Sequence, residues 1–244
     1  MNSRITIFFS AIFLLFSAAV CQADDLISPG AGFDLVLDDL VGLGDTVIKG
    51  TTPETDYFIN GRITIQRFDT LQINSGERLI FRTPRSGLRI EGRMICDGDL
   101  LPEGSDPGTT IEMTSLSDYL IREGTDSLPD FEAAGGGGSS LFEAGLWEII
   151  LTSDLSTTSD LFEITAVTWS GISYRNLTTP SLLKGTTIHY ANTGVDCLSV
   201  DQQHLTIQQC FIENNHTGIL LQNSSPKILE NQEISYSLLK QEGG

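Results

Sequence analysis

Short runs of alternating apolar and polar residues recur along this chain about every two dozen residues. Ile188, Ile212 and Ile234 are separated by 24 and 22 residues, and residues 205–207 (LTI) are followed 21 residues later by the similar triplet 226–228 (PKI). A period of this length is typical of stacked repeats, because one unit cannot bury its apolar face alone. The runs alternate with period two between Asn, Gly and Ser, so they predict short strands joined by tight corners.

The amino-terminal half has the same period. Three strands and three corners make one coil, and Ile63 precedes Leu88 by 25 residues. Residues 45–115 and 167–236 are therefore predicted to be coils of one all-β solenoid. Asn tolerates left-handed backbone geometry and is predicted to occupy corners. The corner candidates are Asn192, Asn214, Asn215, Asn223 and Asn231.

The first 23 residues have the pattern of a signal peptide, with Arg4, an apolar run over 5–20 and small residues before a cleavage position after Ala23. The run is short for a membrane helix, which needs about 20 apolar residues. We therefore expect an exported protein without a membrane span, in an extracellular, cell-surface or periplasmic location. A lipoprotein anchored at Cys21 is the alternative, which Val20 disfavours because a small residue is expected there.

The remaining segments do not follow the repeat. Residues 24–44 are interpreted as a lead-in or N-terminal cap, and residues 116–166 as a long acidic insertion containing a Gly/Ser tract. Such an insertion is either a binding element or a solvent-exposed loop without a binding role. Residues 237–244 form a short tail. The end of the pattern near Tyr236 leaves three alternatives: a minimal cap, a fragment of a longer protein, or capping by self-association.

The charge is strongly acidic but unevenly distributed. The formal net charge of −18 argues against nucleic acid or an anionic membrane as partner. Between positions 62 and 93, however, seven arginines accompany three acids. These arginines could bind a carboxylated or sulfated polymer. Alternatively, they occupy outward-facing strand positions, and neighbouring acids neutralise their charge. The candidate binding residues are Arg78, Arg82, Arg85, Arg89 and Arg93.

Cysteine and histidine positions predict neither disulfides nor a zinc site. Three cysteines remain after removal of the signal, and we interpret them as small buried apolar residues: Cys96, Cys197 and Cys210. The three histidines are scattered and are interpreted as polar surface or corner residues: His189, His204 and His216.

Several motifs resemble those of secreted bacterial right-handed parallel β-helix proteins with the pectin-lyase-like fold. The resemblance covers about 45–115 and 167–236. It is carried by residues 71–76 (LQINSG), 79–81 (LIF), 88–92 (LRIEG), 111–115 (IEMTS) and 169–172 (WSGI). It implies a right-handed parallel β-helix and does not specify an activity.

Catalysis of the polygalacturonase type is not supported by the residues. Inverting hydrolysis needs two carboxylates roughly 6.5–9.5 Å apart. In the outline that this chain shares with polygalacturonases, Gly194 occupies the position of the first carboxylate, and the later acid pair reads His216-Thr217. No catalytic residue is assigned.

A lyase would need an Arg or Lys base and a calcium site of clustered carboxylates. No base after Arg122 is expected beside an acid pair at coil spacing. Asp97 and Asp99 could bind calcium next to the arginines, but no motif supports this, so no metal or cofactor is assigned.

The sequence therefore favours an exported cell-envelope or extracellular module that binds polysaccharide or a surface polymer without cleaving it. The alternatives are a lyase or hydrolase-like enzyme with an unrecognised site, and a purely structural or adhesive surface protein. The oligomeric state stays open.

Overall fold

The computed structural model describes residues 25–50, 53–99, 110–123, 169–231 and 239–242. These residues form mostly short strands. The strands are β1 (Asp25–Ile27), β2 (Asp34–Val36), β3 (Val47–Lys49), β4 (Asp56–Ile59), β5 (Arg62–Ile65), β6 (Thr70–Ile73), β7 (Arg78–Phe81), β8 (Gly87–Ile90), β9 (Arg93–Asp97), β10 (Ile111–Ser115), β11 (Trp169–Arg175), β12 (Ser181–Lys184), β13 (Thr186–His189), β14 (Ala191–Leu198), β15 (Leu205–Gln208), β16 (Phe211–Glu213), β17 (Thr217–Gln222), β18 (Lys227–Leu229) and β19 (Leu239–Glu242). The helices are α1 (Leu37–Leu40) and α2 (Leu116–Glu123).

The strands belong to three sheets. The first has the order β1-β5-β8-β11-β14-β17-β19, the second β18-β15-β12-β9-β6-β2, and the third β16-β13-β10-β7-β4-β3. Every described pair is parallel except β3 with β4. From β4 to β18 the chain passes through the third, first and second sheets in turn. This arrangement is compatible with the all-β solenoid that the sequence predicts.

The core consists of apolar side chains aligned across neighbouring strands. In the third sheet, one such row contains Tyr57, Leu79, Met113, Ile188 and Ile212, none of them more than 2% exposed. Parallel strands about 4.8 Å apart place equivalent residues in contact, so a repeated apolar position becomes a continuous row. Burial of each such side chain contributes about 1.5–3 kcal/mol.

The register confirms the repeat where both partners are described. Ile188 is paired with Ile212, and the triplet 205–207 is aligned with 226–228 through the pairs Thr206–Lys227 and Ile207–Ile228. In the amino-terminal half, Ile63 is paired with Leu88. Ile234 lies outside the described residues, as do the proposed signal peptide with Cys21 and most of the insertion.

The segment interpreted as a lead-in contributes strands to two sheets. β1 extends the first sheet beside β5, and β2 extends the second beside β6. Leu37 and Leu40 of α1 are buried in the core. The segment therefore covers apolar residues at one end of the described core while adding edge strands.

Helix α2 covers part of the outer face of the third sheet. It begins at Leu116, the first residue of the predicted insertion, and its Leu116, Tyr119 and Leu120 pack on Phe58 and Ile80. The ring of Tyr119 meets Phe58 edge-on, with centroids 5.5 Å apart. Within the described ranges, no helix has both the length and the apolar character needed to cross a membrane.

Corner geometry bears out part of the asparagine prediction. Asn214 and Asn223 have φ values of 55° and 48°. Asn192 instead lies inside β14, and Tyr190 just before that strand has φ 55°. The corner prediction for Asn192 was wrong because the left-handed backbone conformation falls at Tyr190, so that Asn192 is already part of the strand.

Candidate functional site

The five candidate arginines lie in strands of three different sheets and in one corner. Arg78 lies in β7 of the third sheet, Arg89 in β8 of the first and Arg93 in β9 of the second. Arg82 and Arg85 lie in the corner between β7 and β8. The sequence band therefore does not fold into one basic face, because successive strands of a coil belong to different sheets.

Arg78 is fully engaged within the structure. It makes a bidentate ion pair with Asp56, at 2.6 and 2.7 Å, and a contact of 2.8 Å with Glu123. Its guanidinium also lies 5.2 Å from the ring centroid of Tyr119. Asp56 is 1% exposed and accepts a further hydrogen bond from the Tyr119 hydroxyl. Arg78 thus fastens α2 to the third sheet.

The other arginines differ in their surroundings. Arg82 donates to the side-chain oxygen of Asn60, and burial lowers the pKa of Arg82 to about 10. Arg93 donates to the carbonyl of Pro180 at 2.8 Å, while Arg85 is exposed. A binding role for these three side chains stays a prediction.

Arg89 lines an open depression of about 310 Å³ on the outer face of the first sheet, which we call the first-sheet groove. It is formed by outward side chains of β1, β5 and β8 and of the residues that follow β5 and β8. The lining residues are Asp25, Ile27, Arg62, Thr64, Gln66, Arg89 and Glu91. Strand register places Ile27, Thr64 and Arg89 in one row. Neighbouring strands therefore contribute side chains to the groove at regular spacing.

Charge in the first-sheet groove is balanced. Arg89 contacts Glu91 through Nε at 2.8 Å and through a terminal nitrogen at 2.6 Å. The backbone N–H of Arg62 donates to Asp25 at 3.1 Å. Ile27 is 45% exposed, which adds an apolar patch beside two arginines and two acids. The groove can therefore offer donors, acceptors and an aliphatic surface to a ligand.

An exposed aromatic residue lies at the corner that follows β5. Phe68 is 66% exposed with φ 84°, and the guanidinium of Arg67 lies 5.3 Å from its ring centroid. A positive φ is unusual for a bulky residue and costs on the order of 1–3 kcal/mol. Asp69 fixes the corner, since its buried carboxylate accepts hydrogen bonds from the backbone of the 30–33 loop.

Steric packing explains the glycine at the polygalacturonase carboxylate position. A Cβ on Gly194 would lie 2.7 Å from the Gly218 carbonyl and 2.9 Å from a methyl carbon of Ile212. A carboxylate side chain does not fit there without a shift of the backbone. Asp196, two residues later, is ion-paired with Arg175.

Lys184 corrects the expectation that no base after Arg122 lies beside an acid pair. Register pairs Lys184 with Asp97, and its ammonium is 2.7 Å from Asp97 and 4.0 Å from Asp99. The residues are far apart in sequence because the insertion falls between their coils. The hydrogen bond that the Lys184 ammonium donates to Asp97 raises the pKa of Lys184, which favours the protonated form and disfavours a role as base.

A second polar cluster lies beside α2 on the outer face of the third sheet. Glu112, Asp118 and His189 each direct one potential metal-ligating atom to within 4.8 Å of the others. His189 is half-buried rather than a surface or corner residue. Sequence reasoning missed this cluster because His189 follows Asp118 by 71 residues, with no fixed spacing to indicate the contact.

The cysteine interpretation is confirmed for the described residues. Cys96, Cys197 and Cys210 are free and buried. Burial raises the pKa of Cys197 to about 12 and that of Cys210 to about 11, so neither supplies a thiolate near neutral pH.

Comparison with protein-family models, with curated proteins and with solved structures gave no match.

Proposed function

We propose that this chain is an exported right-handed parallel β-helix that binds a polysaccharide in the first-sheet groove without cleaving it. The first-sheet groove is the observation that carries this proposal. Its outward side chains come from adjacent coils and combine balanced charge with an exposed isoleucine. Right-handed winding is favoured because connections between parallel strands of one sheet are right-handed in about 98% of cases.

The chemistry of the groove suits a carbohydrate. A pyranose presents hydroxyl groups at its edge and C–H groups on its faces. Paired guanidinium and carboxylate groups supply donors and acceptors for the hydroxyls, and Ile27 supplies an apolar contact. Rows of side chains repeat about every 4.8 Å along the sheet, so a polymer can meet several coils at once.

An uncharged polysaccharide fits the groove better than an acidic one. Arg89 is already paired with Glu91, and Asp25 lies beside the backbone of Arg62. Their charges cancel, while the chain as a whole carries a net charge of −18 and repels polyanions.

Binding without cleavage is supported by the state of the groove carboxylates. Glu91 accepts from Arg89 and Asp25 accepts from the backbone of Arg62. One oxygen of each acid is therefore held by a donor from the protein itself. The tight packing around Gly194 also disfavours a polygalacturonase-type mechanism.

The test is a panel of neutral and acidic polysaccharides, with binding measured by affinity electrophoresis and product release in the same samples. We expect retardation by a neutral glycan and no release of reducing sugar or unsaturated uronate. The double variant Arg62→Ala/Arg89→Ala should weaken binding about 10- to 30-fold, as two lost hydrogen bonds of about 1 kcal/mol each would give.

Arg85→Ala is the matched control, because Arg85 is exposed but does not line the groove. Equal binding by the wild type and the double variant would contradict the groove as the site. Loss of binding in Arg85→Ala alone would indicate that the corner between β7 and β8 is the binding site instead. Glycan cleavage abolished by the double variant would support the enzyme alternative.

Export is proposed from the pattern of residues 1–23 and is tested separately. Amino-terminal sequencing of the protein recovered outside the cytoplasm should give a start at Asp24. A start at a lipid-modified Cys21 would support the lipoprotein alternative, and an intact Met1 would contradict export through this signal.

A further inference from the structure

Three side chains with metal-ligating atoms meet where α2 borders the third sheet. Glu112 comes from β10, Asp118 from α2 and His189 from β13, and one ligand atom of each lies within 4.8 Å of the other two. Asp118 is buried, and the other two are half-buried. A carboxylate held in such surroundings needs a positive or hydrogen-bonding partner to offset its desolvation.

His189 is the part of the cluster that least resembles a structural ion pair. Its Nε2 is inaccessible to solvent and makes no hydrogen bond, although it lies 3.1 Å from a carboxylate oxygen of Glu213. A neutral imidazole coordinates a metal ion through the lone pair of one ring nitrogen. A buried, unmatched polar atom costs free energy that a ligand would recover.

From these contacts, we propose that Glu112, Asp118 and His189 bind a divalent transition-metal ion. One imidazole nitrogen and several carboxylate oxygens suit zinc or manganese, whereas calcium prefers oxygen ligands alone. Zinc ligands at about 2.0–2.2 Å lie about 3.4 Å from one another in a tetrahedral site.

Neighbouring groups hold two of the ligands in place. The Thr114 hydroxyl donates to Asp118 at 2.8 Å, and Nε1 of Trp169 donates to the backbone carbonyl of His189 at 2.7 Å. Such outer contacts orient metal ligands in proteins. Trp169 is fully buried and stacks on Phe81 with ring centroids 3.8 Å apart, so the backbone at His189 is attached to the core.

Arg122 supplies the positive charge that the cluster now contains. It is ion-paired with Glu112 and lies 3.0 Å from Asp118. Its side chain is 40% exposed, so the guanidinium can move into solvent when a dication enters. Arg122 and the metal therefore compete for the same two carboxylates. Removal of the Arg122 charge should therefore strengthen metal binding, an effect that a purely structural ion-pair network would not produce.

The test uses the full chain without a histidine tag and Zn²⁺ as the probe, with affinity measured by isothermal titration calorimetry. We expect one Zn²⁺ per chain. His189→Gln should weaken binding about tenfold or more, the scale on which perturbed metal sites respond. Arg122→Gln should strengthen it about tenfold, because the competing charge is gone. Circular dichroism checks that each variant folds, and Glu112→Gln replaces His189→Gln if that variant does not.

His204→Gln is the matched control, because His204 forms an exposed pair with Asp201 at 2.7 Å that could bind zinc weakly. Its zinc affinity should equal that of the wild type. The proposal is overturned if neither the wild type nor Arg122→Gln binds Zn²⁺, or if His189→Gln or its substitute binds as tightly as the wild type. It is also overturned if His204→Gln alone loses binding. Equal affinity for Ca²⁺ and Zn²⁺ would contradict the imidazole ligand.

Discussion

Asp69 shows how one residue holds the amino-terminal segment in place. Its fully buried carboxylate accepts hydrogen bonds from the backbone N–H groups of Gly30, Gly32 and Phe33, at 2.6, 2.8 and 2.9 Å. Burial by itself would raise the pKa of Asp69, but hydrogen bonds from Ser28 and these N–H groups outweigh it and lower the pKa below 3.8.

Replacement of Asp69 by Asn should reduce the free energy of unfolding by about 2–4 kcal/mol at pH 7, since hydrogen bonds to a charged group are worth about 1.5–3 kcal/mol. The folded pKa lies below the unfolded value of about 3.9. The wild-type contribution is therefore complete above that value and is lost as pH falls through the folded pKa. Urea unfolding from neutral pH to about pH 3 should show a difference in the free energy of unfolding between the wild type and the variant, and this gap should narrow as the pH falls. A constant gap would contradict the role of the charge.

Two asparagines that look alike in the sequence have different roles. Asn215 is 3% exposed and joins neighbouring coils, because it accepts from the N–H of Ala191 at 2.8 Å and donates to the Ile188 carbonyl at 2.9 Å. Asn192 is exposed in β14. The sequence predicts a corner for both. It does not show which strand lies opposite each residue, and that neighbour decides which asparagine is buried.

Asn215→Ala should lower the free energy of unfolding by about 2–4 kcal/mol, because it leaves two buried backbone groups without partners. Asn192→Ala, the matched control, should change it by less than about 0.5 kcal/mol. Chemical denaturation of the two variants measures the difference. Similar losses in both would show that the contact between coils is not a major source of stability.

At the scale of elements, α2 is anchored on a buried ion pair between two strands of the third sheet, β4 and β7. Arg78 and Asp56 form it, and the Tyr119 hydroxyl also donates to Asp56. Arg78→Met should destabilise the protein by about 3–5 kcal/mol, since it leaves a buried carboxylate uncompensated. Adding Asp56→Asn should recover part of that loss. Arg85→Met, at an exposed position, is the control and should be nearly neutral.

Thermal unfolding of the three variants measures these effects. If Arg78→Met were as stable as Arg85→Met, Arg78 would be available for ligand binding. The expectation of a polymer-binding role for Arg78 would then regain support.

The strands of the coils were largely predictable, whereas the contacts made across the insertion were not. Alternation and a period near 24 predict the alignment of Ile188 with Ile212, because each apolar position must meet its equivalent one coil later. Lys184 beside Asp97 and His189 beside Asp118 arise after a long non-repeating segment. There the sequence separation no longer indicates the register, so these pairs could not be found from spacing.

At the scale of the whole molecule, the two candidate sites lie on different sheets. The first-sheet groove is built on β1, β5 and β8, and the proposed metal cluster lies beside α2 on the third sheet. Side chains of the described core separate the inner faces of these sheets. We therefore expect the two sites to bind independently.

Independence has a direct test. His189→Gln should retain the wild-type affinity for the polysaccharide, and Zn²⁺ should change that affinity by less than about twofold, a coupling free energy below about 0.4 kcal/mol. Affinity electrophoresis with and without Zn²⁺ measures this. A larger zinc effect that disappears in His189→Gln would show that the metal cluster contributes to glycan recognition.

The most direct test of polysaccharide binding in the first-sheet groove is an NMR titration with the neutral oligosaccharide corresponding to the best polysaccharide of the panel. The predicted result is a shift of the Ile27 methyl signal and of the side-chain N–H signals of Arg62 and Arg89. The methyl signals of Leu43, which is 41% exposed but does not line the groove, should stay unchanged. Saturable binding that leaves the signals of Ile27, Arg62 and Arg89 unmoved would contradict the account.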